Sequence, residues 1–111
     1  MNFDNPKSID KIIFTLNSYI KKLKLNLNGL NVLTEVGSNL YSLTPIIPIL
    51  AGAKNIMAWT QDSKNGNAIE NISSCKKILN YLNSDIEIDF HNGDLNIDHL
   101  KSADLITNSG F

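Results

Sequence analysis

The sequence predicts an α/β fold with a parallel sheet, and the order of its predicted elements leads to that class. Segments of strand type alternate with segments of helical periodicity, in the order β-α-β-α-β-α-β after an N-terminal helix. This alternation is typical of parallel sheets covered by helices. Right-handed crossovers then put strands one and four side by side at the centre, with strands two and three outside strand one. We therefore expect a three-layer, Rossmann-like sheet in one domain.

Composition fits one globular domain and excludes some classes of function. The 111 residues are 42% apolar and 19% charged, with a formal net charge of -1. Such a balance carries no electrostatic footprint for nucleic acid, so we expect no nucleic-acid partner. All 10 basic residues are lysines. Any phosphate would therefore be held by backbone N–H groups, hydroxyls or lysine, and not by a guanidinium fork.

Targeting and redox signals point to a cytoplasmic location. No apolar run approaches the roughly 18 residues that span a bilayer. Residues 1–6 lack the basic-then-apolar order of a signal peptide. The single cysteine, Cys75, excludes an internal disulfide. We expect no membrane partner.

The first part of the chain contains an amphipathic helix and a strand. Ser8 is expected to cap a helix over Ile9–Lys24, whose apolar residues recur at helical spacing. A strand over Asn31–Val36 comes next and ends at Gly37. The predicted organisation is an N-terminal helix at 8–25 and an α/β core at 30–111.

Two prolines constrain the segment after Gly37. Pro45 and Pro48 are tolerated only in the first turn or so of a helix. Thr44 is therefore the expected N-cap of a short buried helix, Pro45–Ala51. The connection from Gly37 onward is expected to be a loop of about seven residues, because no helix is expected before the prolines.

The remaining elements are predicted from the same patterns. Strands are expected at Asn55–Thr60, Ile86–Phe90 and Asp104–Thr107, with a helix at Ala68–Leu82 and at most a short helix at Ile97–Lys101. The fourth strand would be left as an apolar edge. We therefore expect the chain to be a fragment of a larger protein, or to be covered at that edge by another domain or a homo-oligomer partner.

Residues after the first strand are the main candidates for binding a small-molecule cofactor. We call residues 37–39 the glycine loop. Gly37 allows a sharp turn, while Ser38 and Asn39 would present N–H groups, a hydroxyl and an amide at a helix N-terminus, where anions bind. An ordinary strand-to-helix turn is the alternative, because Asn39 and Ser42 stand where the G-x-G-x-x-G pattern has its later glycines.

The loop after the second strand contributes further candidates. Thr60, Asp62 and Ser63 lie where an acidic side chain commonly binds both ribose hydroxyls. Together with Lys64, this small polar loop is alternatively suited to a 2′-phosphate. A solvated loop without a ligand is the other interpretation of the same residues.

Thr107 and Asn108, at the end of the fourth strand, would reach the same crevice, with a plain turn as the alternative. No metal is expected, because His91 and His99 show no known ligand spacing. Cys75 lies on a predicted buried helix face and is expected to pack in the core. No catalytic residue is assigned.

The first two strands with their adjoining loops, and the segment Ala103–Gly110, resemble the NAD(P)-binding domains of hydroxyacid dehydrogenases and adenosylhomocysteinase-like proteins. The resemblance implies an oxidoreductase-like function. It also implies that the glycine loop faces the pyrophosphate and Asp62 the adenosine ribose. Thr107 and Asn108 would then lie near the nicotinamide-side ribose.

A second resemblance is to class I methyltransferases that use S-adenosylmethionine. Glu35-x-Gly37-Ser38 looks like the start of their first motif, and Asn92–Leu95 looks like their Gly-Asp turn near the adenine. Asp104–Phe111 is similar to the Asp-x-x-x-Asn-Pro-Pro-Phe/Tyr motif of amino-methylating members, with both prolines replaced.

NAD or NADP is the preferred cofactor, with S-adenosylmethionine as the alternative. The proline-bearing helix start demands a longer loop than the methyltransferase turn, and Thr60-Gln61-Asp62-Ser63 resembles NADP-type loops. A second alternative is a non-catalytic, degenerate domain used for assembly. A hydride-transfer enzyme also needs a substrate domain, so we expect no activity from this chain alone.

Overall fold

A computed structural model describes residues 5–64, 66–82 and 84–107. It contains a four-stranded sheet made of β1 (Asn31–Glu35), β2 (Asn55–Thr60), β3 (Ile88–Asn92) and β4 (Leu105–Ile106). Its helices are α1 (Pro6–Leu23), α2 (Ile46–Leu50), α3 (Ala68–Leu82) and α4 (Ile97–Lys101), with a 3₁₀ helix at Asn39–Leu43. Within the described ranges, no helix combines the length and apolarity that crossing a membrane requires.

The strand order is β3-β2-β1-β4, and every pairing is parallel. β1 therefore lies inside the sheet, beside β4, as the alternation of elements predicts. The α/β fold class and the Rossmann-like strand order are confirmed.

Helices lie on both faces of the sheet, which produces three layers. Side chains of α1, α2 and α3 pack in one core cluster with Val36, Ala58 of β2 and Phe90 of β3. α4 lies on the opposite face, where the rings of His99 and His91 are 4.4 Å apart between centroids. The crossover from β3 to β4 runs back across the sheet, so right-handedness requires α4 to lie on the other side.

α1 begins earlier than predicted. Its N-cap is Asn5, whose side-chain oxygen accepts a hydrogen bond from the Lys7 N–H at 3.0 Å. Pro6 occupies the first helical turn, where its missing N–H has no cost. The prediction of Ser8 as N-cap was wrong because Asn5 and Pro6 together start the helix upstream. The helix ends at Leu23, and Lys24 comes next in the left-handed conformation with φ 54.

The connection after Gly37 is more regular than predicted. α2 begins at Ile46, close to the predicted start, but after the extended Ser38 the chain forms the 3₁₀ helix at Asn39–Leu43, where an irregular loop was expected. Thr44 does not cap α2, because it closes the 3₁₀ helix, with φ of -54 and ψ of -43, and is not the residue directly before α2. Pro45 takes the N-cap position without a side-chain hydrogen bond.

β3 is shifted along the chain from its predicted position. It begins at Ile88 instead of Ile86, and it includes His91 and Asn92, which pair with β2. The predicted turn at His91 was therefore wrong in its first two residues, and the chain leaves the strand at Gly93, with φ 123. Pairing with β2, which continues to Thr60, extends the strand beyond its apolar run.

β4 is a strand of two residues, shorter than the predicted Asp104–Thr107. The two flanking residues still bond to β1. The Asp104 N–H donates to the Asn31 carbonyl at 2.7 Å, and the Thr107 N–H donates to the Leu33 carbonyl at 2.9 Å. β4 therefore stays in register with the central strand on both sides of its short ladder.

Candidate functional site

The carboxyl ends of β1 and β4 lie side by side at the point where the crossovers change face. Val32 pairs with Leu105 and Leu33 with Ile106. The Thr107 hydroxyl, just beyond β4, donates to the Thr34 hydroxyl oxygen at 2.6 Å. Open parallel sheets bind ligands at such a reversal of strand order. The strand ends that the predicted crevice requires are thus adjacent, and two hydroxyls meet there.

Backbone hydrogen bonds hold the glycine loop as a tight turn. The Gly37 N–H donates to the Tyr41 carbonyl at 3.1 Å, and the Tyr41 N–H donates to the Ser38 carbonyl at 3.0 Å. Gly37 is buried, and Asn39 starts the 3₁₀ helix. The side chain of Asn39 lies outside the described part of the chain. The Gly37 N–H and the Ser38 carbonyl are therefore already paired with the backbone of Tyr41.

Two of the predicted binding hydroxyls, Ser38 and Thr60, are joined by Asn71 of α3. The Ser38 hydroxyl donates to Asn71 Oδ1 at 2.9 Å, and Asn71 Nδ2 donates to Thr60 Oγ1 at 3.2 Å. Asn71 is 6% exposed and Thr60 is 4% exposed. The structure therefore brings Ser38 and Thr60 together, but as an internal polar chain.

The sequence patterns do not single out Asn71. A signal exists nonetheless, since Asn71 lies on the buried stripe of α3 with Ala68, Cys75 and Ile78. A polar residue on an apolar helical stripe needs a buried hydrogen-bond partner.

Asp62 caps a helix. Its Oδ1 accepts a hydrogen bond from the Ala68 N–H at 2.8 Å, while Asn67 Oδ1 accepts one from the Glu70 N–H at 2.8 Å. Ser63 and Gly66 exchange backbone hydrogen bonds of 2.9 and 3.2 Å, which close the loop into a turn. One oxygen of the predicted ribose-binding carboxylate is thus already used at the start of α3.

The loop after β2 packs directly on the glycine loop. A Cβ at Gly66 would lie 2.2 Å from Ser38 Oγ and 3.2 Å from Ser38 Cβ. Only a residue without a side chain fits this approach unless Ser38 moves. Gly66 therefore packs directly against the Ser38 side chain.

Glu35, the last residue of β1, is a buried carboxylate at the rim of the central strand. It is 2% exposed and pairs in register with Trp59 of β2. The Trp59 indole N–H donates to the Gly93 carbonyl, and the Gly93 N–H donates to the Thr60 carbonyl at 3.0 Å. The ends of β2 and β3 are thus tied together next to the glutamate.

Other predicted positions are described in part. Asn108 lies outside the described residues. Among residues that are described, no group of three or more His, Cys, Asp or Glu side chains is arranged to hold a metal ion. Cys75 is 0% exposed in the core, as predicted, and desolvation raises the pKa of its thiol to about 12. Such a thiol is protonated and unreactive at neutral pH.

No family model, curated protein or solved structure matches this chain.

Proposed function

We propose that this chain binds an adenosine-bearing cofactor at the carboxyl ends of β1 and β4, as the cofactor-binding unit of an enzyme. The observation that carries the proposal is the position of Glu35 and Gly37 at the carboxyl end of an internal parallel strand, beside β4, where Thr107 bonds to Thr34. Sheets of this strand order bind nucleotide cofactors at that point. A cytoplasmic location is part of the same proposal.

Charge supports S-adenosylmethionine over NAD(P) at this crevice. Glu35 is a buried carboxylate two positions before Gly37. A carboxylate attracts the ammonium and sulfonium groups of S-adenosylmethionine, whereas it repels a pyrophosphate. The Ser38 hydroxyl, a candidate phosphate donor, already donates to Asn71. Both the charge and the donor set therefore suit a cationic cofactor.

The 3₁₀ helix after β1 supports the same choice. One ground for preferring NAD(P) was an irregular loop before the prolines, whereas the chain enters 3₁₀ geometry at Asn39. A 3₁₀ helix of five residues also offers little dipole for a pyrophosphate. In this proposal Glu35 holds the ammonium group and Asp94, after Gly93, lies towards the adenine. The bound cofactor would supply an electrophilic methyl group.

NADP is the second candidate, and the loop after β2 supports it. The side chains of Asp62, Ser63 and Lys64 are all exposed. Backbone bonds between Ser63 and Gly66 hold them on a fixed turn. The ammonium group of Lys64 would pair with a 2′-phosphate in that position.

The test is ligand-dependent stability, measured as the melting temperature with S-adenosylmethionine, S-adenosylhomocysteine, NAD and NADP. At about 100 times the Kd, a ligand stabilises the folded state by about 2.7 kcal/mol. For a domain of this size that raises Tm by on the order of 10 °C. We expect Tm to rise with S-adenosylmethionine and S-adenosylhomocysteine only.

Variants connect the result to the site. Glu35→Gln should weaken S-adenosylmethionine binding at least about tenfold, which corresponds to about 1.4 kcal/mol. Asp85→Asn makes the same charge change at an exposed position near the amino end of β3 and should bind like the wild type. A rise with NADP alone, lost in Lys64→Gln, would favour the second candidate. No rise with any of the four ligands would contradict cofactor binding and favour the assembly role.

A further inference from the structure

The outer face of α1 presents an exposed aromatic ring among lysines. Phe14 is 74% exposed. Lys7, Lys11 and Lys21 lie three or seven positions from it, on the same side of the helix. We call Lys7, Lys11, Phe14 and Lys21 the lysine face. Residues 6–24 carry five lysines and one aspartate, so this layer of the protein is strongly basic.

The segment that contains β3, α4 and β4 carries the complementary charge. Residues 85–107 contain six carboxylates and one lysine. A groove of about 390 Å³ runs between the sheet and α4, with Leu33 and Met57 on its floor and Glu87, Asp89 and His99 along it. We call this the acidic groove. Glu87 and Asp89 are exposed, so the groove faces solvent with a negative rim.

The acidic groove lies on the less covered face of the sheet. α1, α2 and α3 cover one face of the sheet. On the opposite face, the helix found among the described residues is α4, which has five residues. Ile97 and Leu100 of α4 and Ile106 of β4 are 64%, 43% and 52% exposed. This face therefore combines apolar surface with a carboxylate rim, which suits a partner surface that is both apolar and cationic.

We propose that the lysine face of one molecule docks on the acidic groove of a second copy, with Phe14 entering the groove. The same chain carries both halves of this pair, an exposed ring among cations and a groove with an apolar floor and carboxylates along it. Complementary charges orient and accelerate such an encounter. The two surfaces lie on opposite layers, so the contact is head-to-tail, and each copy can use both surfaces at once.

The experiment is sedimentation velocity of the full chain over a range of concentrations. It is run at about 0.01 M and about 1 M salt, where the Debye length is about 30 Å and about 3 Å. Average mass should increase with concentration at low salt, and the association constant should fall at least about tenfold at high salt. Phe14→Ala should lower the association constant at low salt by a similar factor, while the circular dichroism spectrum is unchanged.

Charge-swapped variants make the test specific. Lys11→Glu with Lys21→Glu gives a molecule whose two surfaces are acidic, and Glu87→Lys with Asp89→Lys gives one whose two surfaces are basic. Each variant alone should stay monomeric, and an equimolar mixture should associate again. Lys64→Glu with Lys76→Glu is the matched control for charge and should associate like the wild type.

This self-association does not depend on cofactor binding, so either proposal can be wrong while the other holds. It is overturned if the wild type stays monomeric at low salt, or if the mixture of swapped variants does not associate. Binding of wild type to anionic lipid vesicles or to an oligonucleotide without self-association would also overturn it.

Discussion

The Ser38 hydroxyl donates a hydrogen bond to Asn71 Oδ1 at 2.9 Å, and this bond ties the turn after β1 to α3. Asn71 continues the connection by donating to Thr60. Both Asn71 and Thr60 are buried, so removing Asn71 leaves polar groups with no replacement partner from solvent. The glycine loop is therefore fixed in place by a side chain from the next helix.

Asn71→Ala should lower the free energy of unfolding by about 1–3 kcal/mol, because it leaves the Thr60 hydroxyl without its donor and Ser38 without its acceptor. Urea denaturation measures the change. Ser73→Ala, at an exposed position on the same helix, is the control and should stay within about 0.5 kcal/mol of the wild type. Equal effects of the two substitutions would show that the polar chain does not stabilise the fold.

Gly66→Ala should destabilise the protein by about 1–3 kcal/mol, because the new Cβ would lie 2.2 Å from Ser38 Oγ. Rotating Ser38 away would relieve the clash and break its bond to Asn71. The two effects should therefore be coupled, and Gly66→Ala should cost less in a Ser38→Ala background. A double-mutant cycle by urea denaturation tests this, and strict additivity would rule out the contact.

Periodicity predicts much of this fold, because it reports elements whose packing repeats along the chain. β2, α3 and α4 have the predicted bounds, and the alternation of elements with right-handed crossovers leads to the observed strand order. The start of α1 was missed because Asn5 and Pro6 precede its apolar stripe. β3 was misplaced because its end is determined by pairing with β2, which is a tertiary effect.

The sequence predicts the backbone arrangement of the candidate site but not its side-chain contacts. Gly37 comes after an internal strand, as expected. A glycine turn is a local signal in the sequence, and the strand order follows from the topology rules. Asn71 and Gly66 were not predicted, because their contacts with Ser38 join positions 33 and 28 residues apart. No local pattern contains such a contact. The 3₁₀ helix was missed for a related reason, because short turns of this kind carry weak periodicity.

The Cys75 thiol leads to a prediction about pH. Desolvation raises its pKa from an ordinary 9.0 to about 12, so the folded protein keeps the proton at a pH where the unfolded chain loses it. This contribution to stability is fully present below pH 9 and declines as pH rises towards 12, by about 1.4 kcal/mol per unit. Between pH 9 and 10 the wild type should lose about 1 kcal/mol more than Cys75→Ala.

Urea denaturation of both proteins at the two pH values measures that difference. The same burial predicts that Cys75 is unreactive towards iodoacetamide in the native state and reacts after unfolding. Rapid labelling of the folded protein at pH 8, or identical pH dependence of the two proteins, would contradict the buried environment of the thiol.

Thr107→Val should loosen β4. The Thr107 hydroxyl donates to Thr34 Oγ1 at 2.6 Å, and Thr34 is 1% exposed. Valine keeps the shape and removes the donor, so the free energy of unfolding should fall by about 0.5–1.5 kcal/mol. In the variant, the amide at position 107, which bonds to β1 in the wild type, should exchange its hydrogen faster than the wild-type amide does. Unchanged exchange would show that β4 does not depend on this bond.

The most direct test of cofactor binding is an amide NMR titration of the wild-type chain with S-adenosylmethionine. We expect saturable shifts at the strand ends, in particular Gly37, Ser38, Gly93 and Thr107, and their strong reduction in Glu35→Gln. A folded protein whose spectrum does not change at millimolar ligand, or changes only around α1 and the acidic groove, would contradict a binding site at the rim of β1.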